Sequence, residues 1–237
     1  MTVRRYVVGG LLGLSVVASY DVASAQVGHN PASSPYRDVL LRSGPAFFGG
    51  HLSGSRGSAD AGFSNGDVVG VRYELAAGKT LLAQFNGTYV KGDRFILNPA
   101  ADSSSPQRKT GPYAADIFII DLMLQLRLTG AKSWRGFAPY AGAGIGVGFE
   151  TTAPPDTTQS GYRFGTKFTV SGATGIRWYP LRRVSLTGDA RFVLWKESYP
   201  MSFHQTAPDG SRILPLIHDL SEWTFHPVLS VGLGWIF

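Results

Sequence analysis

The chain has 237 residues, a formal net charge of +6 and no cysteine, so its length fits one domain and no disulfide can hold that domain together. Its charges are scattered, with no basic run longer than a pair such as Arg182-Arg183, which disfavours nucleic-acid binding. Thirty glycines, 12% aromatic residues and a mean hydropathy of +0.01 are typical of a strand-rich chain in which apolar and polar residues alternate.

The N-terminus has the pattern of a secretory signal. Residues 1–5 include two arginines, residues 6–18 are apolar, and Ala23-Ser24-Ala25 matches a small-residue cleavage site. We therefore predict a signal peptide over residues 1–25, cleaved after Ala25, followed by a periplasmic segment over residues 26–43. No later stretch has 18 consecutive apolar residues, so no transmembrane helix is predicted.

Eight later segments alternate large apolar residues with small or polar ones. A period of two puts the two sets on opposite faces of a strand, and the segments reach the nine to eleven residues of a tilted membrane-crossing strand. In the first segment, Phe48 and Leu52 are predicted to share a face. The eight predicted strands are residues 45–54, 67–76, 80–91, 114–129, 136–150, 162–179, 183–196 and 222–237.

The connections between these strands alternate strictly between long and short. Outer-membrane barrels have this asymmetry, with long external loops and short periplasmic turns. Three details stay open: residues 95–97 either belong to the long connection or prolong strand three, residues 212–217 extend a hairpin or contact a partner, and residues 36–41 form a helical turn or enter the barrel mouth. The long connections are residues 55–66, 92–113, 151–161 and 197–221, and the short ones are 77–79, 130–135 and 180–182.

Three sequence stretches carry a resemblance to a known family: residues 137–146 (FAPYAGAGIG), residues 175–180 (GIRWYP) and the terminal residues 234–237 (GWIF). Over residues 44–237 the chain resembles the eight-stranded bacterial outer-membrane barrels of the outer-membrane protein A type. The resemblance implies an all-β fold, an eight-stranded antiparallel up-and-down transmembrane β-barrel. It also implies a barrel-insertion signal at Leu233, Trp235 and Phe237, read by the insertion machinery during biogenesis.

Alternation also predicts which charged side chains point into the lumen. Arg72, Asp121, Asp189 and Arg191 are expected near mid-height, and because both signs occur in nearly equal number they should pair. An eight-stranded barrel is just wide enough for side chains to fill, so a plugged lumen is predicted; a gate opened by rearranged pairing is the alternative. The full interior set is Arg72, Glu74, Asp121, Arg127, Lys167, Arg177, Asp189 and Arg191.

Motifs that carry chemistry are weak in this chain. The alternating glycines over residues 142–148 lack the spacing of a dinucleotide loop and indicate a stripe inside a narrow barrel. No histidine has metal-ligand spacing. His51 and Ser53 form a His-x-Ser pair of the kind used by barrel-embedded lipid A deacylases, but an interior polar pair is the simpler interpretation. No catalytic, cofactor-binding or metal-binding residues are predicted.

These observations predict an outer-membrane β-barrel of structural or interaction type that displays extracellular loops and is not an enzyme. The expected partners are outer-membrane lipid and lipopolysaccharide, with the insertion machinery during biogenesis, no nucleic acid, and a monomeric state. The alternatives are a small-solute channel gated by the interior ion pairs, a lipid A acyl hydrolase, and a soluble ligand-binding barrel.

Overall fold

A computed structural model describes residues 34–39, 43–156, 158 and 160–237. The predicted signal peptide and residues 26–33 lie outside the described residues. Within the described ranges, no helix is both long and apolar enough to cross a membrane.

Ten strands form a single sheet in the described part of the chain. Without the short strands β1 and β6, eight strands remain. The bounds are β1 Tyr36–Asp38, β2 Gly44–Leu52, β3 Gly66–Ala76, β4 Leu81–Leu97, β5 Lys109–Arg127, β6 Lys132–Trp134, β7 Phe137–Thr152, β8 Thr166–Leu181, β9 Val184–Ser198 and β10 Ser221–Trp235.

The eight long strands close into a barrel. The order around it is β7-β5-β4-β3-β2-β10-β9-β8, and β7 pairs with β8 to complete the ring. Every neighbouring pair is antiparallel, so closure leaves no unpaired edge among these strands. The predicted fold, an eight-stranded antiparallel up-and-down β-barrel, is confirmed.

The barrel has two distinct ends. Residues 53–65, 98–108, 153–165 and 199–220 form the connections at one end, here called the loop end. The opposite end, here called the turn end, holds residues 77–80, 128–136 and 182–183, together with the start of β2 and the end of β10.

Alternation along β10 shows how the sequence determines the two faces of the wall. Leu229, Val231 and Leu233 are 67%, 72% and 54% exposed and point outward, whereas Val228 and Ser230 are buried inside. An apolar belt therefore surrounds the barrel, as the hydrocarbon of a bilayer requires. Other outward members are Val69, Val71, Phe85, Ile120, Leu122, Leu124, Leu126, Ile145, Val147, Phe168, Ile176 and Phe225.

The predicted long connection over residues 92–113 is largely strand. Cα pairing between β4 and β5 runs from Leu81 with Leu126 to Leu97 with Lys109, with an irregularity between Arg94 and Ile96. Ile96 is buried because the inward alternation continues past the predicted end of the strand, and the adjacent Leu97 is buried in an apolar cluster formed by the loops. Residues 95–97 therefore prolong the hairpin beyond the other strands.

A second short hairpin extends the turn end. β1 pairs antiparallel with β6, and β6 contacts β7 where Trp134 lies opposite Phe137. The predicted short connection over residues 130–135 contains the three-residue β6, and residues 36–38 are a strand and not a helical turn. The three-residue β1 and β6 are too short for a hydrophobic alternation to be visible.

Two large apolar side chains of β2 point into the barrel and not toward the lipid side. Phe48 and Leu52 do share a face, but that face is the interior, while Phe47 is 66% exposed outside. Gly70 on β3 makes room for Phe48, since a Cβ there would lie 2.3 Å from the Phe48 ring. His51 consequently points outward, and its interpretation as half of an interior polar pair was wrong.

Candidate functional site: the barrel interior and the loop cap

The turn half of the interior is filled by a connected polar network. Arg177 donates to the Glu74 carboxylate at 2.6 Å, and the Gln84 side-chain amide donates to the same oxygen at 2.8 Å. Gln125 in turn donates to Gln84 at 2.9 Å. These side chains come from β3, β4, β5 and β8, so the network connects opposite walls of the barrel.

Two further ion pairs lie one step closer to the middle of the barrel. Arg72 contacts Asp189 at 3.1 Å, and Arg191 contacts Asp121 at 2.9 Å. Asn86 also donates to Asp121, at 2.7 Å. All four charged side chains are at most 7% exposed, so each charge depends on its partner for stability.

Glycines on β7 give this network its space. A Cβ at Gly146 would lie 2.6 Å from the Cβ of Asp121, and one at Gly142 would lie 2.9 Å from Gln125. The alternating glycines of β7 thus allow the interior side chains of β5 to lie flat against the neighbouring strand.

The loop half of the interior is packed mainly by apolar side chains. A buried cluster fills it from wall to wall, and Leu52 and Trp195 in this cluster are fully buried. The ring of Phe164, from a loop, packs edge-on against Trp195 with centroids 5.6 Å apart. The cluster comprises Phe48, Leu52, Phe63, Val68, Val90, Ala115, Ile117, Ile119, Phe164, Val193, Trp195 and Val228.

Two small cavities lie inside the barrel. One, of about 10 Å³, is lined by Glu74, Arg127 and Arg177 near the turn end. The other, of about 20 Å³, lies where the polar and apolar halves meet, beside Arg72 and Arg191. Each has room for about one water molecule, and buried guanidinium nitrogens of Arg72, Arg127, Arg177 and Arg191 lack protein partners there.

A third group of buried polar side chains lies at the loop end. Glu197 is fully buried and accepts hydrogen bonds from Trp195 at 2.7 Å and Tyr162 at 2.9 Å. Lys167 approaches the same carboxylate at 3.3 Å. His226 stacks on Trp195 with centroids 3.5 Å apart, and its Nδ1 accepts from the Ser55 backbone at 3.1 Å, which anchors a loop to the wall.

The long loops pack on one another into a loop cap, defined by a second buried apolar cluster and the polar contacts around it. Ser202 donates to the Ser160 carbonyl, and Tyr199 donates to Glu222 at 2.5 Å. The cluster comprises Ala59, Ala61, Leu97, Tyr162, Tyr199, Phe203 and Leu214. Residues 212–217 therefore do not extend the hairpin: Ile213 and Leu214 pack into the cap, whereas Leu216 and Ile217 are 61% and 91% exposed.

Two aspartates fix the backbone of the cap. Asp209 accepts from Ser103 and Ser211, which joins the connections at residues 98–108 and 199–220. Hydrogen bonds from the Ser211 and Ser103 hydroxyls and backbone hold the pKa of Asp209 well below its usual value. Burial opposes ionisation of Asp156, but donation from Gly161, Ser160 and a threonine hydroxyl outweighs it and lowers the pKa of Asp156.

Two buried tyrosines in the cap titrate well above their ordinary range. Burial raises the pKa of Tyr162, and the neighbouring Glu197 carboxylate raises it further. Burial and the hydrogen bond to Glu222 raise the pKa of Tyr199 in the same way. Both phenols therefore stay protonated at neutral pH and act as donors that connect the cap to the ends of β9 and β10.

The structure places all eight sequence-predicted interior residues inside the barrel. Six of them form three ion pairs in the turn half, and Arg127 lies beside them without a carboxylate contact among the described residues. Lys167 lies apart, at the loop end, with Glu197. The predicted insertion residues Leu233, Trp235 and Phe237 point outward, 54%, 48% and 62% exposed.

Comparisons with known proteins agree with this architecture. Neisserial surface protein A matches with a TM-score of 0.50 at 14% identity, over 86% of this chain and 98% of that protein. The chain shares the fold of the eight-stranded outer-membrane barrels. Outer membrane protein OprG from Pseudomonas aeruginosa (12% identity, 86% and 99% covered, TM-score 0.47) and Ail of Yersinia pestis (10%, 83% and 98%, 0.37) also match.

No protein-family model matches the chain. No curated protein matches it either.

On this eight-stranded barrel, the His51 and Ser53 pair lies on the outer side of the loop end. The His51 ring contacts Asp67 on β3 at 3.2 Å, and both side chains are more than half exposed. Within the described residues, no group of three or more histidine, aspartate or glutamate side chains is placed to hold a metal ion.

Sequence reasoning missed Glu197, Glu222 and His226 as interior or cap residues, and it also missed Glu150, which forms a buried ion pair with Arg94 at 3.3 Å. Glu197 fell in a predicted loop, because β9 continues two residues past its predicted end. The alternation along the strand could have identified Glu197 as an inward residue, since it follows Arg191, Val193 and Trp195 at every second position.

Proposed function

We propose that this protein is an outer-membrane β-barrel of structural or interaction type, which presents a folded loop cap outside the cell and has a plugged lumen. The observation that carries the proposal is the filling of the interior over its whole height. Three ion pairs occupy the turn half, an apolar cluster fills most of the loop half beside the Lys167–Glu197 pair, and the loop cap lies above both.

The outer surface supports membrane insertion. Its large apolar side chains form a continuous belt, and an exposed apolar area of this extent on a soluble protein favours aggregation. In this proposal the belt contacts outer-membrane lipid and lipopolysaccharide, the turn end faces the periplasm, and the barrel works as a monomer without enzymatic chemistry. Leu233, Trp235 and Phe237 serve the insertion machinery.

The channel alternative is disfavoured by the order of the two halves. Rearranging the Arg72–Asp189 and Arg191–Asp121 pairs leaves the apolar cluster above them in place, so ion-pair exchange alone opens no water path. Separating either pair also exposes a buried charge without a partner, which costs roughly 3–5 kcal/mol.

The outer-membrane location of the protein and the display of its loop cap outside the cell are tested together on intact cells. We expect the protein in the outer-membrane fraction, with a compact gel band that shifts on boiling, and protease added outside should cut within residues 199–220 at the cap. A soluble periplasmic protein, or cleavage confined to opened cells, contradicts the proposal.

A second candidate function rests on one specific contact. His51 hydrogen-bonds with Asp67 on the outer surface, two residues from Ser53, and an orienting carboxylate beside a histidine is part of a serine-hydrolase arrangement. The Ser53 hydroxyl makes no hydrogen bond to His51 in the structure, so the nucleophile is not engaged. Exposure also makes the His51–Asp67 contact weak.

This acyl-hydrolase candidate is decided by the lipid A of expressing cells. Mass spectra should show loss of an acyl chain with the unaltered protein and none with Ser53→Ala or His51→Ala if the candidate is right. Lys91→Ala, at a neighbouring outward position, serves as the matched control. Identical lipid A in all strains excludes the acyl-hydrolase candidate.

A further inference from the structure

A basic cleft lies at the turn end, away from the interior network and the loop cap. It has a volume of about 750 Å³ and lies between β1, the residues after β6, and the connection from β8 to β9. Its lining includes Arg37, Asp38, Arg135, Trp178, Tyr179 and Arg182.

Three arginines supply the charge of this cleft. Arg37, Arg135 and Arg182 are exposed, and in the described part of the chain none of the three guanidinium groups contacts a carboxylate. The interior Arg72, Arg177 and Arg191 each have a carboxylate partner. With Asp38 the only acid among the lining residues, the lining carries a net charge of +2 from three arginines and one aspartate.

The backbone holds Arg135 in an unusual conformation. Its φ is +49°, in the left-handed region that non-glycine residues seldom adopt. The Arg135 N–H donates to the Pro35 carbonyl at 2.8 Å, and the next carbonyl, of Gly136, accepts from Tyr179 at 2.9 Å. The guanidinium group lies over the Trp134 ring, 5.3 Å from its centroid, which fixes its direction.

An outward row of aromatic rings borders the cleft. Tyr36 pairs with Trp134, Trp134 with Phe137, and Phe137 with Trp178 across four neighbouring strands. Phe137 and Trp178 stack with centroids 6.0 Å apart, and all four rings are 40–51% exposed. Aromatic rows of this kind mark the boundary between hydrocarbon and headgroups, so the arginines lie at headgroup level.

We propose that this cleft binds the anionic headgroup of a phospholipid from the leaflet at the turn end, which is the periplasmic leaflet if the proposed location is right. Guanidinium groups bind phosphate oxygens in a bidentate manner, and three arginines line this cleft against a single aspartate. Trp178, Phe137 and Leu181 offer an apolar surface for the acyl chains. A free phosphate lacks that second contact, and a zwitterionic headgroup lacks the net charge.

The experiment uses native mass spectrometry of the detergent-purified full chain with equal amounts of phosphatidylglycerol and phosphatidylcholine. We expect retention of one phosphatidylglycerol with at least about a tenfold preference, since the arginines attract an anionic headgroup and a zwitterionic headgroup carries no net charge. The triple variant Arg37→Gln/Arg135→Gln/Arg182→Gln should reduce the preference to below about twofold.

A matched control removes the same charge elsewhere. Lys79→Gln/Arg163→Gln/Lys196→Gln changes three exposed cations outside the cleft and should keep the preference. Equal loss in both triple variants, or no loss in the first, overturns the proposal, and so does displacement of the lipid by equimolar inorganic phosphate. A heat-modifiable gel band verifies folding of each variant, and because it reports insertion directly, failure of the cleft is distinguishable from failure of the proposed function.

Discussion

The turn half and the loop half of the barrel are lined by inward positions of the same strands, yet they are filled in opposite ways. The turn half contains ion pairs such as Arg72–Asp189, in which each charged group needs an oppositely charged partner at the right distance. The loop half is packed mainly by side chains such as Leu52 and Val193, which contribute by filling space. The stability of the two halves should therefore respond to mutation differently. The charge pairs are sensitive to the loss of one partner, and the apolar cluster is sensitive to the loss of side-chain volume.

The largest effect is expected where one partner of a buried pair is removed. Asp189→Leu leaves Arg72 buried without its carboxylate and should lower the free energy of unfolding by roughly 3–5 kcal/mol. The double variant Arg72→Met/Asp189→Leu should regain most of this, because no unpaired charge remains. Urea titration of the barrel in detergent micelles measures both; a double variant as unstable as the single one contradicts the paired description.

A somewhat smaller effect is expected in the apolar half. Leu52→Ala removes fully buried volume and should destabilise the barrel by about 2–5 kcal/mol. The control Leu229→Ala removes the same atoms from the outer face, where lipid or detergent fills the space, so its loss should be clearly smaller. Equal losses in the same titration would mean that the interior is not tightly packed.

The loop cap should respond to acid at a pH set by its aspartates. The folded pKa of Asp209 lies below its unfolded value, so its contribution is complete above about pH 4 and is lost as the pH falls through the folded pKa. The hydrogen-exchange protection factors of residues 98–108 and 199–220, corrected for the intrinsic pH dependence of amide exchange, should therefore be unchanged between pH 7 and 5 and should fall only in stronger acid. Asp209→Asn should remove this pH dependence of the exchange. A transition between pH 5 and 7 in the unaltered protein would contradict its assignment to Asp209.

The smallest effect is expected at the outer surface. Asp67→Asn breaks the exposed contact with His51 and should change the free energy of unfolding by less than about 1 kcal/mol. A larger loss in the urea titration would indicate that this pair supports the rim of the barrel.

Much of the fold was predictable because alternation acts residue by residue. The period of two in residues 229–237 identifies the two faces of a strand. The same alternation predicts that Arg72, Asp121 and Asp189 point inward, and the structure places these charges inside. The resemblance to outer-membrane barrels then supplied the closure of the sheet.

The rest depends on contacts between segments that are distant in sequence. Phe48 points inward because Gly70 on the next strand leaves room for its ring. The short β1 exists because residues 132–134 offer it an edge, and Glu197 is buried because Tyr162 and Lys167 meet it from another loop and strand. The same holds for the arginine cleft, which three separate segments assemble.

The central claim, a lumen filled by two complementary halves, is tested most directly by current across planar lipid bilayers. Purified full-chain protein inserted at 100 mV should give no stepwise conductance above the lipid baseline, since both halves must open together for water and ions to pass. Reproducible steps from the unaltered protein, altered by Arg191→Ala or Asp121→Ala, would contradict the plugged lumen and establish a gated channel in its place.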